Sequence, residues 1–126
     1  MGRLIPEDAR PRMIVKRWEA LADGLMDAAV LMVMEGRRPE GERSAAFVER
    51  QKAKVERALA QMAHDLGERT HCFAEAFTLA DAAVGAALFY LDLRLPALDW
   101  RAAHPGLQRL IERLEKRKSF EDSVPS

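Results

Sequence analysis

Asp23 and Asp27 stand four residues apart, which on a helix puts both carboxylates on one face. Their neighbours on that face are Ala20, Gly24, Val30, Leu31 and Met34, too apolar for an ordinary solvent face, so a second packing surface is implied. As plain surface acids the two would pair with Arg or Lys. Trp18, Met26, Met32 and Met34 could line an apolar ligand pocket, since thioethers adapt to varied shapes, although such residues at helical spacing ordinarily fill a core. Cys72 is the only cysteine, and no lysine or arginine adjoins it to hold a thiolate. A small buried hydrophobe is expected there rather than a nucleophile. His64, His71 and His104 lack the spacing that would turn two ring nitrogens toward one metal ion, so no metal site is expected.

Thr78 and Asp81 have capping-box spacing: a hydroxyl accepts from the amide three residues on, and the side chain there reaches back. They open the run Ala82 to Leu91, which has no polar face, and such a helix is expected to be surrounded by others. Gly85 inside it costs roughly 1 kcal/mol against alanine, and a close helix crossing is the natural compensation.

The elements that would position these groups are all helical. Ile14, Trp18, Leu21, Leu25, Ala28 and Met32 alternate steps of four and three, one stripe of a helix reaching Glu35. Pro11 is comfortable only in a first turn, so this helix is expected to begin near Arg10. Gly36 and Pro39 end it. Ser44 is placed to cap a second helix with Val48, Val55, Leu59, Met62 and Leu66 inward, and Gly67 to terminate it. The capped third helix should run from Leu79 to about Asp92. Asp99 and Arg101 should tie the following turn to the bundle, and His104-Pro105 should open a last helix with Leu107, Leu110, Ile111 and Leu114 inward. Lys116, Arg117 and Lys118 then gather at its C-terminal end, where they suit the helix dipole. No strand-like alternation occurs. The expected fold is an all-α bundle of about four main helices plus short turns.

With 126 residues, one domain spanning 1–126 is expected. Lys plus Arg number 20 and Asp plus Glu number 20, so no net field draws the chain to nucleic acid or to an anionic membrane surface. A lone cysteine excludes an internal disulfide and fits a reducing, cytoplasmic setting. The N-terminal residues carry no apolar leader, and no stretch approaches the roughly 20 residues of a membrane-spanning helix.

Leu4-Ile5-Pro6, Trp18 to Gly24, Phe77 to Asp81, Asp99-Trp100-Arg101 and His104-Pro105 follow in one order and spacing across nearly the whole chain. In this the sequence resembles the C-terminal helical domain of bacterial glutathione transferases. The resemblance implies a helical half that lines the site of a hydrophobic electrophile and shares a dimer interface. Trp18, Met26, Met32 and Met34 would belong to that wall. Asp27 matches the aspartate that can approach the amino group of glutathione bound by the neighbouring subunit. A hydrogen bond to such a charged group contributes about 1.5–3 kcal/mol. The thioredoxin-like half that holds most of the glutathione site and the activating residue has no counterpart in these 126 residues. No catalytic residue is therefore expected in the chain, and glutathione enters only as cosubstrate of an intact relative. The partners implied are a second copy or a thioredoxin-like domain. The same resemblance carries a non-catalytic alternative, an assembly module such as those attached to translation factors and tRNA synthetases.

Overall fold

Where apolar residues recur every third and fourth position, the backbone is helical and turns that stripe inward. The computed structural model describes residues 4–69, 72 and 79–123. Among them the elements are α1 (Leu4–Gly36), a 3-10 turn (Glu40–Glu42), α2 (Ala45–Leu66), α3 (Leu79–Arg94), α4 (Trp100–Ala103) and α5 (Pro105–Ser123). No strand occurs among the described residues, and four long helices and one short one make the expected all-α bundle. α1 packs on α2 and α3, while α5 closes the bundle against α2 and α3.

α1 starts at Leu4, not near Arg10. Pro6 falls in its first turn, where amides have no intrahelical partner in any case, so only Pro11 withholds a bond, the one owed to the carbonyl of Glu7. One missing bond does not stop a helix whose later turns are buried. Trp18, Ala22, Leu25, Ala28, Ala29 and Met32 form its inner stripe. At its C-terminal end the buried carboxylate of Glu35 accepts the Ser44 N–H at 2.7 Å and meets Arg38 at 3.3 Å. That clip holds the turn into α2.

α2 follows its sequence signals closely. The Ser44 hydroxyl accepts the Phe47 N–H at 3.1 Å, and Gly67 ends the helix at φ 57°, a left-handed backbone that favours glycine. Arg69 then donates to the carbonyls of Asp65 and Leu66, satisfying the last turn. Val55, Leu59, Met62 and Leu66 are buried as the periodicity requires, each full burial of a Leu, Val or Met contributing about 1.5–3 kcal/mol. Gln51 is buried with them, and its Oε1 has no hydrogen-bond partner among the described residues.

α3 departs from expectation. Ala80, Asp81, Val84, Gly85, Ala87, Leu88 and Leu91 are buried, but α1 and α5 cover only that half of it. Leu79 is 69% exposed, Phe89 44% and Leu93 70%, so the helix is not surrounded. The close crossing foreseen at Gly85 is present: a Cβ there would stand 2.8 Å from Leu114 Cδ1 of α5.

The turn after α3 is fastened by Asp92 rather than Asp99. Asp92 accepts from Trp100 Nε1 at 3.0 Å and from Arg101 at 2.6 Å, and the Arg101 guanidinium lies 4.7 Å from the Trp100 ring centre. Asp99 instead caps α4, accepting the Ala102 N–H at 3.4 Å. α5 runs on to Ser123, so Lys116, Arg117 and Lys118 lie within the helix and its last turn holds no basic residue. The sequence there contains no glycine or proline to stop it sooner.

Candidate functional site

The exposed face of α1 carries Asp23 and Asp27 as the spacing requires. Beside them Ala20 and Gly24 are exposed, as are Leu31 and the 58% exposed Met34. No ion pair among the described residues involves either aspartate, so the expected pairing with Arg or Lys is not made among them. The second packing surface implied by the sequence is left uncovered by the chain's own helices.

The four residues grouped as a pocket wall are not gathered in one place. Trp18 is 3% exposed and Met32 is buried with it in the core, Met26 is half-buried against that core, and Met34 stands on the opposite, solvent face of α1. Trp18 and Met32 have almost no surface left to offer a ligand.

Thr78 lies outside the described residues. Its partner Asp81 is fully buried in the first turn of α3, where a carboxylate suits the helix N-terminus. Asp81 Oδ1 accepts the backbone N–H of Cys72 at 2.9 Å, nine residues back, and so ties the preceding segment to the helix. The Cys72 side chain is fully buried beside it. Burial above all, then the Asp81 charge and a hydrogen bond to that carboxylate, push the thiol well above its ordinary range. Such a thiol is protonated at neutral pH and is no nucleophile. Among the described residues no group of three or more His, Cys, Asp or Glu could hold a metal ion, and no helix is long and apolar enough to cross a membrane.

Two open surfaces take their outline only from the fold. The first is the open face of α3, where Leu79, Ala82, Ala86, Phe89 and Leu93 are all exposed and recur at alternating steps of three and four. That spacing was present in the sequence but hidden inside a run apolar on every side. The second is a groove of about 420 Å³ between α1 and α2, floored by Ala20, Gly24 and Ala58 and rimmed by Lys54 and Arg57. A smaller hollow of about 150 Å³ beside Trp100 and His104 falls below the roughly 300 Å³ at which small-molecule sites begin.

Comparison with known proteins agrees with this architecture. Residues 45–113 match the family described as "Glutathione S-transferase, C-terminal domain". The chain is 34% identical over 122 residues to YibF, an uncharacterised GST-like protein of Escherichia coli K12, covering 97% of this chain and 60% of YibF. A glutathione S-transferase from Methylobacillus flagellatus KT, solved with GSH bound, superposes with a TM-score of 0.82 at 53% identity, over 90% of this chain and 56% of that one. One from Methylobacterium radiotolerans JCM 2831, solved with glutathione sulfonate, gives 0.82 at 49% identity, over 90% and 53%. The chain thus spans between about half and three-fifths of these relatives' length. The family match covers more than half of the chain and the helices superpose on those of solved members, so the chain belongs to the glutathione S-transferase family and represents its C-terminal helical domain.

Proposed function

We propose that residues 1–126 act as one domain, the helical half of a glutathione-conjugating protein, and complete their site only with a thioredoxin-like domain, on the same polypeptide or on another. The observation that carries this reading is the open face of α3. A helix whose inner side is core presents Leu79, Phe89 and Leu93 to solvent, an apolar surface of the kind that marks an interaction site. The relatives solved with glutathione compounds have the additional length needed to cover it.

In this reading the helices supply the apolar wall for a small hydrophobic electrophile and a surface for self-association. Asp27, exposed on α1, is available to the ammonium of glutathione bound by a second subunit. Lowering the pKa of the glutathione thiol falls to the thioredoxin-like domain, because Cys72 is buried and protonated and no other described group is placed for it. The working compartment is the cytoplasm.

Calorimetric titration of glutathione into residues 1–126, alone and with a thioredoxin-like domain from one of the solved relatives, tests the proposal. We expect no saturable binding to the helices alone, and binding with conjugation of a chloronitrobenzene once both halves are present. Failure of the two halves to associate would overturn it and favour the assembly-module reading, in which the α3 face takes a different protein and glutathione has no role.

A further inference from the structure

Tyr90 is the only tyrosine of the chain, and Arg94 follows it by four residues, so a phenol and a guanidinium share one flank of α3. Gly85 faces α5, and Asp92 faces α4 through its bonds to Trp100 and Arg101. At about 100° per residue, Tyr90 and Arg94 lie roughly 140° and 180° round the helix from Gly85. They stand on the side away from α5. Ala86 and Leu93 of the open face adjoin Tyr90 on one side, and buried Ala87 adjoins it on the other.

The Tyr90 ring is half-buried against the core, yet its hydroxyl oxygen reaches the surface without a hydrogen-bond partner among the described residues. An enclosed tyrosine ordinarily finds one. Here the residues one turn before it, Ala86 and Ala87, are too short to cover the phenol. Arg94 is exposed and takes part in no ion pair or cation–π contact among the described residues. The acids that follow α3's last turns are engaged elsewhere, Asp92 by Trp100 and Arg101 and Asp99 by the Ala102 N–H. A cation in that last turn suits the helix dipole, but any cation would serve there. What the dipole leaves unused is a planar fork of donors, one turn from a hydroxyl, at the border of an apolar surface. The apolar strip can hold a hydrophobic body while the two donors hold the oxygens of an anionic group.

We propose that Tyr90 and Arg94 form the carboxylate end of the electrophile site, so that the electrophile preferred by the assembled protein is a small apolar molecule bearing a carboxylate. This deepens the functional reading above and rests on it. Glutathione and the reacting atoms stay with the thioredoxin-like half, and the α3 pair fixes the far end of the second substrate. Both residues determine specificity and take no part in bond making.

The chain assembled with the thioredoxin-like domain of a solved relative is assayed with a chloronitrobenzoate and with its methyl amide, which keeps the ring without the charge. In each, the glutathione sulfur replaces chloride on the ring, releasing chloride and the thiol proton. Relative to the uncatalysed rates, the starting chain should favour the acid. Arg94→Ala should lower the ratio of kcat/KM for acid over amide by at least about tenfold, mainly through KM, and Tyr90→Phe by about threefold to tenfold. Arg94→Lys should recover part of the Arg94→Ala loss, since the charge remains without the fork. Circular dichroism should show unchanged helix content in all three variants, as neither side chain is fully buried. Variants that slow both compounds equally, or that leave both unchanged, would overturn the carboxylate site while the functional reading stands. Assembled halves that conjugate neither compound would overturn that reading, and this proposal with it.

Discussion

Asp81 acts on both sides of itself, as the acid of the first turn of α3 and as the acceptor that fixes the Cys72 backbone. Asp81→Ala leaves a buried amide without its partner and should lower stability by about 1–3 kcal/mol, measured by urea unfolding. No exposed surface should change. Cys72 adds a pH dependence. Its thiol is raised in the folded state, so both states are protonated, and this stabilisation is fully present, below the unfolded value of about 8.5. Above it only the unfolded chain ionises. Between about pH 9 and 10 stability should fall up to about 1.4 kcal/mol per pH unit more steeply in the native sequence than in Cys72→Ala. Equal slopes would mean that the thiol is not held protonated. The spacing marked Asp81 as the acid of a capping box with Thr78, which lies outside the described residues, and held no sign of its bond to Cys72 nine residues back. It was silent at Gln51, whose burial depends on how the neighbouring helices lie across α2 and not on any pattern in α2 itself.

Helix ends were legible wherever one residue sets them. Ser44 and Gly67 bound α2 because a hydroxyl at the first turn and a positive φ at the last are satisfied by side-chain chemistry alone. The start of α1 was misjudged, since a proline forbids one bond and not a helix. The end of α5 was misjudged too, because a basic cluster favours a C-terminus without enforcing it. Gly85 shows sequence and packing in agreement. Gly85→Val would drive its side chain into Leu114 at the α3–α5 crossing, and should cost about 1–3 kcal/mol in thermal or urea unfolding. The cost should shrink in combination with Leu114→Ala, which makes the room.

At the scale of the whole molecule, an apolar helix was taken for a surrounded one, because composition states that a face must be covered but not by which chain. The open face of α3 is where that distinction becomes physical. Phe89→Lys with Leu93→Lys should leave the unfolding midpoint of the isolated chain nearly unchanged, since both side chains are exposed. The same pair should abolish association with a thioredoxin-like domain in a co-purification assay. A midpoint drop of several degrees would place these residues in the core instead. The all-α class and the order of the helices were readable from periodicity and caps, and the family from its resemblance to known members, while which residues make up the two open surfaces needed the three-dimensional arrangement.

Glu35 also bears on how the chain reaches its fold. By accepting the N–H of Ser44, nine positions on, it closes a short loop, and loops of about this length close within roughly 10–100 ns. The α1–α2 hairpin therefore depends on short-range contacts, whereas α5 must find α2 across a longer stretch of chain. The hairpin should form first and open last, so native-state hydrogen exchange would find the inner amides of α2 among the slowest, with α5 released earlier as a separate unit.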